Sequence, residues 1–334
     1  MQHVIGIDAG GSKTLCLTAR TDGTITGFGS SGCGSHEIAD IETAKKNILA
    51  AVEDALAQSG ITSAEVEYAV FALAGADFEP DDFDMLTSAM KDLNLTKRFI
   101  VKNDMAGCLR SGTSRPYGVV VNMGTGFNAM GVGKDGTEYK RVSECGLLGG
   151  GHAIGEEVLR RVFRASDGRK RPTALTAMVL DYFGAQDIHA LDRMLFIQRN
   201  PPRDRIGRLC PLALEAAYNG DQVACDIIEA FARDAGEMAN VITRNLGLER
   251  EDVEIVLAGS VFKSVGPLLK DVITATIHRQ TPHAKLVIPT YEPVVGTIML
   301  ALEALNIQIV SEVHSNLDNT LPTDLKRTGW QSNE

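Results

Sequence analysis

The chain has 334 residues, 44% of them hydrophobic and 23% charged, enough to bury a large core and to suggest two domains. Its net charge is −10 and no Lys/Arg run stands out, which argues against nucleic acid or an anionic membrane surface as the main partner. No apolar stretch approaches the ~20 residues of a membrane-spanning helix, and the N-terminus opens on a strand-like "HVIGIDAGG" without a signal-peptide pattern. The six cysteines (Cys16, Cys33, Cys108, Cys145, Cys210 and Cys225) are scattered and form no C-x-x-C pair, so reduced thiols in a cytoplasmic protein are expected.

The first motif is "GIDAGGSKT" at residues 6–14. Gly6 and Gly11 have the spacing of a phosphate-binding P-loop, but Ser12 stands between Gly11 and Lys13. The context also differs. A P-loop runs into a helix whose N-terminus holds the phosphates, whereas here "TLCLTAR" alternates like a strand, Asp22-Gly23 signals a hairpin and "TITGFG" returns as a third strand. Next comes an amphipathic helix over Glu42–Ser59, with Ile41, Ile48, Ala51, Val52 and Leu56 on one face. "VEYAVFALAGAD" reads as a buried strand ending in a glycine turn, Asp82–Asp92 as a helix, and "RFIVKNDMAGCLRSG" as a strand followed by a helix start. Gly112–Tyr117 is the expected hinge.

The opening layout then repeats in "YGVVVNMGTGFNAMGVGKDGTEYKRV". A β run over Val119–Val121 leads through Asn122 into the turn Met123-Gly124-Thr125-Gly126. A strand to Val132, an Asp135-Gly136 turn and another strand follow. Two such units suggest a duplicated domain, each half offering one glycine-rich turn to a shared cleft. Beyond Gly155 the sequence is helical as far as Gly247, broken at Pro172 and around residues 199–205. The stripe Ile227, Ile228, Phe231, Ala235, Met238 and Val241 reads as the core face of a long helix. "VEIVLAGSVFKS" gives a strand, a glycine turn and a helix, "AKLVIP" another strand, and "PVVGTIMLALEAL" a closing helix. The expected division is residues 1–114, with a helix over 297–310 packing back on them, then 115–296, then a loose polar tail over 311–334.

Taken in order, "IGIDAGGSKT", "VKNDMAGC", "NMGTGFN" and "VLAGSVFKS" resemble the actin-like sugar kinases, and among them the N-acetylglucosamine kinase branch of the BadF/BadG-type ATPases. The resemblance runs from about His3 to Leu305. It implies an α/β protein of two RNase-H-like domains, mixed sheets flanked by helices, with MgATP and a small sugar bound in the cleft between them. A homodimer is suggested by the same resemblance.

Phosphoryl transfer needs charge neutralisation, in-line positioning and a base for the attacking hydroxyl. Gly10, Gly11, Ser12 and Thr14 can aim N–H or hydroxyl groups at the β/γ-phosphates as an anion nest on a hairpin, and Gly124, Thr125 and Gly126 can do the same from the second turn. Lys13 is either a point charge for the phosphates or a solvated turn lysine. Asp8, ending a buried β run, is expected to hold Mg²⁺, the alternative being an Asx-type turn cap. Asp104 stands where a strand stops and a helix begins, so it is either the general base or the N-cap of the helix starting at Met105. The resemblance favours the base. It also implies adenosine contacts at Gly259 and Ser260, with Lys263 one helical turn beyond, and sugar contacts at Asn128 and Gly75.

Ser35 and His36 fall where relatives carry a "TNH" segment, with Ser in place of the amide side chain. Relatives also carry "GGWG…GDEGS", where this chain reads "SECGLLGGGHAIGEE", with Glu144 near the tryptophan position and Gly150-Gly151 replacing the acidic pair. Glu144, His152 or Glu156 then substitutes, or the acceptor is not N-acetylglucosamine. The expected function is an ATP-dependent kinase of an amino sugar or hexose. An ATPase that activates a partner enzyme and a non-catalytic sugar or nucleotide sensor are the alternatives.

Overall fold

A computed structural model of the protein describes residues 2–141, 149–197, 203–263 and 266–326. The fold divides into two compact units, one formed by Met1–Pro116 and Pro289–Thr328, the other by Tyr117–Ile288.

The first unit opens with β1 (His3–Ala9), β2 (Thr14–Arg20) and β3 (Ile25–Ser31), followed by α1 (Ile41–Ser59), β4 (Val66–Leu73), α2 (Asp81–Asp92), β5 (Phe99–Asn103) and α3 (Asp104–Gly112). The sheet order is β3-β2-β1-β4-β5, with β2 antiparallel to both neighbours and β4 and β5 parallel to β1. Strand alternation sorts the side chains onto two faces. Ile5, Ile7 and Ala9 join Ile48, Val52, Phe71, Leu86 and Met90 on one face, while Val4, Leu15, Leu17 and Val70 serve the other. Asp40 caps α1, its Oδ1 accepting from the Thr43 N–H at 2.9 Å, and Gly60 ends the helix with φ 66°. α1 lies directly on β3, because a Cβ at Gly27 or Gly29 would overlap the carbonyls of Ala55 or Ala51.

The second unit contains β6 (Gly118–Met123), β7 (Phe127–Val132) and β8 (Glu138–Arg141). A helical block follows: α4 (Gly151–Ser166), α5 (Leu175–Phe183), α6 (Ile188–Asp192), α7 (Arg203–Gly207), α8 (Leu209–Tyr218) and α9 (Gln222–Asn245). The unit closes with β9 (Glu254–Ala258), a short 3₁₀ turn at Ser260–Lys263, α10 (Leu268–His278) and β10 (Lys285–Val287). Its sheet order, β10-β9-β6-β7-β8, repeats the first topology strand for strand, so the doubled sequence layout is a doubled α/β fold. The α9 stripe is core, with Ile227, Ile228 and Ala235 fully buried. The five described cysteines are free thiols, and Cys145 lies outside the described residues.

The chain then returns to the first unit with α11 (Pro293–Ala304) and α12 (Ser311–Thr320). α11 packs on β1 and against α3, where Gly296 meets the Gly107 carbonyl so closely that a Cβ would overlap it. Arg110 of α3 is buried beside Glu303 of α11, its Nε 3.0 Å from Oε1. The closing helix therefore begins four residues earlier than position 297 and ends at Ala304, and the crossing back to the first unit falls at 288/289. The tail expectation needs correction too. Residues 311–320 form a helix on β3 whose Val313 and Leu317 are buried, with Leu321 and Leu325, in the apolar cluster shared by β2, β3 and α11. Four well-spaced apolar residues in a polar stretch suffice when a ready-made apolar face receives them. No described helix is long and apolar enough to cross a membrane.

Candidate active site

In the first unit the parallel strands β1, β4 and β5 end together, Ala9 beside Leu73 and Leu73 beside Asn103. The turns that follow therefore share one edge of the sheet, the usual ligand-binding end of such sheets. Asp8 and the first residue after β5 are two strands apart, roughly 10 Å at normal strand spacing. Asp8 lies half-buried on β1 opposite Leu15 and Ala72.

The β1–β2 turn closes on itself through Gly10 N–H donating to the Lys13 carbonyl at 2.9 Å. That use of the Gly10 N–H removes it from the expected phosphate donors. Thr14 is removed as well: it is fully buried and its hydroxyl donates to the Gly32 carbonyl at 2.9 Å, beneath the turn. The N–H groups of Gly11, Ser12 and Lys13 have no partner among the described residues, and they form the tip of the hairpin. Three successive unpaired N–H groups make an anion nest. Lys13 is exposed, with Nζ 3.9 Å from Glu292 at the start of α11.

Asp104 begins α3 but does not cap it. Asn103 takes that role, its Oδ1 accepting from the Met105 N–H at 3.0 Å. Asn is as good a cap as Asp, so "ND" before a helix leaves the choice between the two open until backbone geometry is known. The Asp104 carboxyl is half-buried and its pKa is raised to about 6. Burial is the main cause, joined by the negative charges of Asp77 and Glu37, while the backbone N–H groups of Met105 and Asp104 pull the other way.

Gly75, one of the residues expected to meet the sugar, has φ 87°, and the His36 ring and Glu37 side chain pack against it. Ser35 is 1% exposed, and both its Oγ and His36 Nδ1 are buried without a hydrogen-bond partner among the described residues. Buried polar atoms are normally bonded. Two such orphans in the loop that packs on Gly75 supply hydrogen-bonding capacity suited to a polyhydroxylated ligand. Asp77, Glu37 and Asn103 escaped the sequence reading, because nothing in spacing along the chain links a β4 turn, a loop before α1 and the end of β5.

In the second unit the glycine turn is braced differently. Gly124 N–H donates to the Gly126 carbonyl at 3.0 Å, and the Gly124 and Thr125 carbonyls accept from the N–H groups of Gly151 at 2.8 Å and His152 at 3.1 Å. The start of α4 thus holds the turn by its carbonyls, while the Thr125 and Gly126 N–H groups have no partner among the described residues. A Cβ at Gly150 would overlap the Gly126 carbonyl and one at Gly149 the Phe231 ring, so these two glycines have a packing role of their own. Gly259 follows β9 with φ 99°, and a Cβ there would overlap Met123 at the end of β6. That contact joins Gly259 and Ser260 to the Gly124–Gly126 turn in one patch, with Lys263 exposed at the far end of the 3₁₀ turn. Asn128 lies on β7, paired with Asn122 of β6. Glu144 lies outside the described residues. His152 Nε2 stands 3.2 Å from Glu156 Oε1, and no cluster of three metal-ligating side chains occurs among the described residues.

Two five-stranded sheets of identical 3-2-1-4-5 order, each with a glycine-rich hairpin between its first two strands, define the actin-like ATPase fold. The sequence profile of the BadF/BadG/BcrA/BcrD ATPase family matches residues 5–301, and the chain belongs to that family. It is 26% identical over 312 residues to an N-acetyl-D-glucosamine kinase of Dictyostelium discoideum, covering 90% of this chain and 98% of that protein. It is 25% identical over 271 residues to a glucosamine kinase of Vibrio cholerae, covering 79% and 87%. Among solved structures, a Chromobacterium violaceum protein described as a candidate N-acetylglucosamine kinase shares the fold with a TM-score of 0.67 at 23% identity, covering 90% of this chain and 99% of that one.

Proposed function

We propose that the protein is an ATP-dependent carbohydrate kinase, moving the γ-phosphoryl group of ATP onto a hydroxyl of an amino sugar or hexose of the N-acetylglucosamine and glucosamine type. The observation that carries this reading is Asp104: a half-buried carboxyl at the end of β5 with a pKa near 6, released from helix capping by Asn103. A carboxylate of that basicity is mostly ionised at neutral pH and accepts a proton readily, the balance a general base needs. The names of the two curated relatives support the substrate class.

In this reading Asp104 takes the proton of the acceptor hydroxyl, and Ser35, His36, Gly75 and Asn128 bind the sugar. The N–H groups of Gly11, Ser12 and Lys13 and those of Thr125 and Gly126 receive phosphate oxygens, and Gly259 lets the adenosine lie close to the backbone. Lys263 and Ser260 complete the nucleotide set. A single carboxylate with phosphate oxygens is a normal Mg²⁺ site, so Asp8 fits the metal side. MgATP, when bound, supplies the phosphoryl group and neutralises the charge that builds on it.

The test is ADP release from MgATP against N-acetylglucosamine, glucosamine, N-acetylmannosamine, glucose and N-acetylmuramic acid, with a no-sugar blank and Asp104→Ala as control. Sugar-dependent turnover lost in Asp104→Ala upholds the reading and names the acceptor. Equal ADP release without sugar, or ATP binding without turnover, overturns it in favour of a partner-activating ATPase or a sensor.

A further inference from the structure

Asn103 connects Asp104 to a second carboxylate. Its side chain is 4% exposed and both ends are engaged: Oδ1 caps α3 through the Met105 N–H, while Nδ2 donates to the Ala76 carbonyl at 3.2 Å and to Asp77 Oδ1 at 2.7 Å. Asp77 is itself held in place. Asp82 Oδ2, in the first turn of α2, accepts from the N–H groups of Asp77 at 3.1 Å and Phe78 at 2.8 Å. A continuous set of hydrogen bonds thus runs from the start of α2, through the turn after β4, to the start of α3. A bond from a buried amide to an ionised carboxylate is stronger than a neutral one, so the Asp77 link is well suited to fixing the Asn103 rotamer.

We infer that Asp77 is a positioning residue for the reaction proposed above: it orients Asn103, and Asn103 fixes the first turn of α3 that carries the Asp104 carboxylate. Asp77 acts through a neighbour and is not itself assigned to substrate. It has a second consequence through charge, because a nearby carboxylate disfavours ionisation of Asp104. The other charge that acts on Asp104 is that of Glu37, in the loop before α1. Of the two carboxylates that raise the Asp104 pKa, Asp77 and Glu37, it is Asp77 that is hydrogen-bonded to Asn103.

The inference rests on the kinase reading, so its test has a readout independent of turnover. Carboxyl-labelled aspartate allows the Asp104 titration to be followed by carbon NMR, assigned by the signal lost in Asp104→Asn. Asp77→Asn keeps an oxygen acceptor for Asn103 but removes the charge. We expect the Asp104 midpoint, and with it the acidic limb of the kcat/KM profile, to move down by roughly half to one pH unit, with KM for the sugar nearly unchanged at the pH optimum. Asp77→Ala also removes the acceptor, and kcat should then fall about tenfold at the pH optimum, with KM again within about twofold. An unmoved Asp104 titration in Asp77→Asn, or equal kcat in Asp77→Ala and Asp77→Asn, overturns the inference. A moved titration with no sugar-dependent turnover in the unsubstituted protein overturns the kinase reading and leaves the Asp77–Asp104 coupling upheld.

Discussion

The two units share one strand order, yet they present different chemistry at the same topological places. After the fifth strand of the first unit comes Asn103-Asp104 and a helix; after the fifth strand of the second comes Ile288-Pro289, with no carboxyl group. The hairpin turns differ as well. The β1–β2 turn closes on itself and carries three N–H groups at its tip with no partner among the described residues, whereas the β6–β7 turn is clamped by the first N–H groups of α4. A repeated fold therefore fixes where a site is located but not what it contains. Proton-transfer chemistry is expected from the first unit, and a rigid, glycine-walled phosphate turn from the second.

The largest effect should come from the carboxyl that breaks the symmetry. Asp104→Ala is expected to lower kcat by about 10²- to 10⁴-fold with folding intact, measured by ADP release. Asp104 should also make the activity pH-dependent, with kcat/KM halved near pH 6 and falling tenfold per unit below it.

Next is the pair that ties α11 to α3 in the first unit. Glu303→Ala leaves Arg110 buried without its carboxylate, and by the usual penalty for breaking a buried pair it should cost about 3 kcal/mol in urea unfolding followed by a first-unit probe. A probe in the second unit should move much less.

Asp104→Asn gives a stability effect of opposite sign. The folded-state pKa is raised from 3.8 to about 6, so folding favours the protonated form. The stabilisation from protonation is full below about pH 4 and is lost as pH rises through 6. Above pH 7 the ionised carboxylate thus costs about 2–3 kcal/mol. The amide should be the more stable protein by that order at pH 8 and no more stable at pH 3.5, as checked by urea midpoints.

The finest contrast sets the two turns against each other. Gly150→Ala forces a Cβ into the Gly126 carbonyl and should raise KM for ATP about tenfold or more. In Gly11→Ala the added methyl meets only the end of the exposed Ile38 side chain, which can swing away, so KM for ATP should change less than about threefold. Equal effects from the two substitutions would remove the distinction between a clamped and an open turn.

Sequence alone determined the doubled strand–turn–strand layout, the glycine turns, the long α9 core and the placing of Asp104 at a strand–helix junction. Each is a local matter, set by period, turn chemistry or a few consecutive residues. The choice between cap and base at "ND" depended on which of two adjacent side chains faced the Met105 N–H, and only the fold decided for Asn103. Likewise, Gly10 and Thr14 look like phosphate ligands in the motif, but the turn consumes the N–H of one and the β3 edge buries the hydroxyl of the other. Asp77, Glu37 and the orphaned Ser35 and His36 atoms act through space between segments far apart in the chain. α12 became visible only once the β2–β3 side of the sheet offered Val313 and Leu317 a surface to bury. Period and turn signals reach a few residues along the chain, whereas burial, charge proximity and hydrogen-bond partners are set by which segments the sheets bring together.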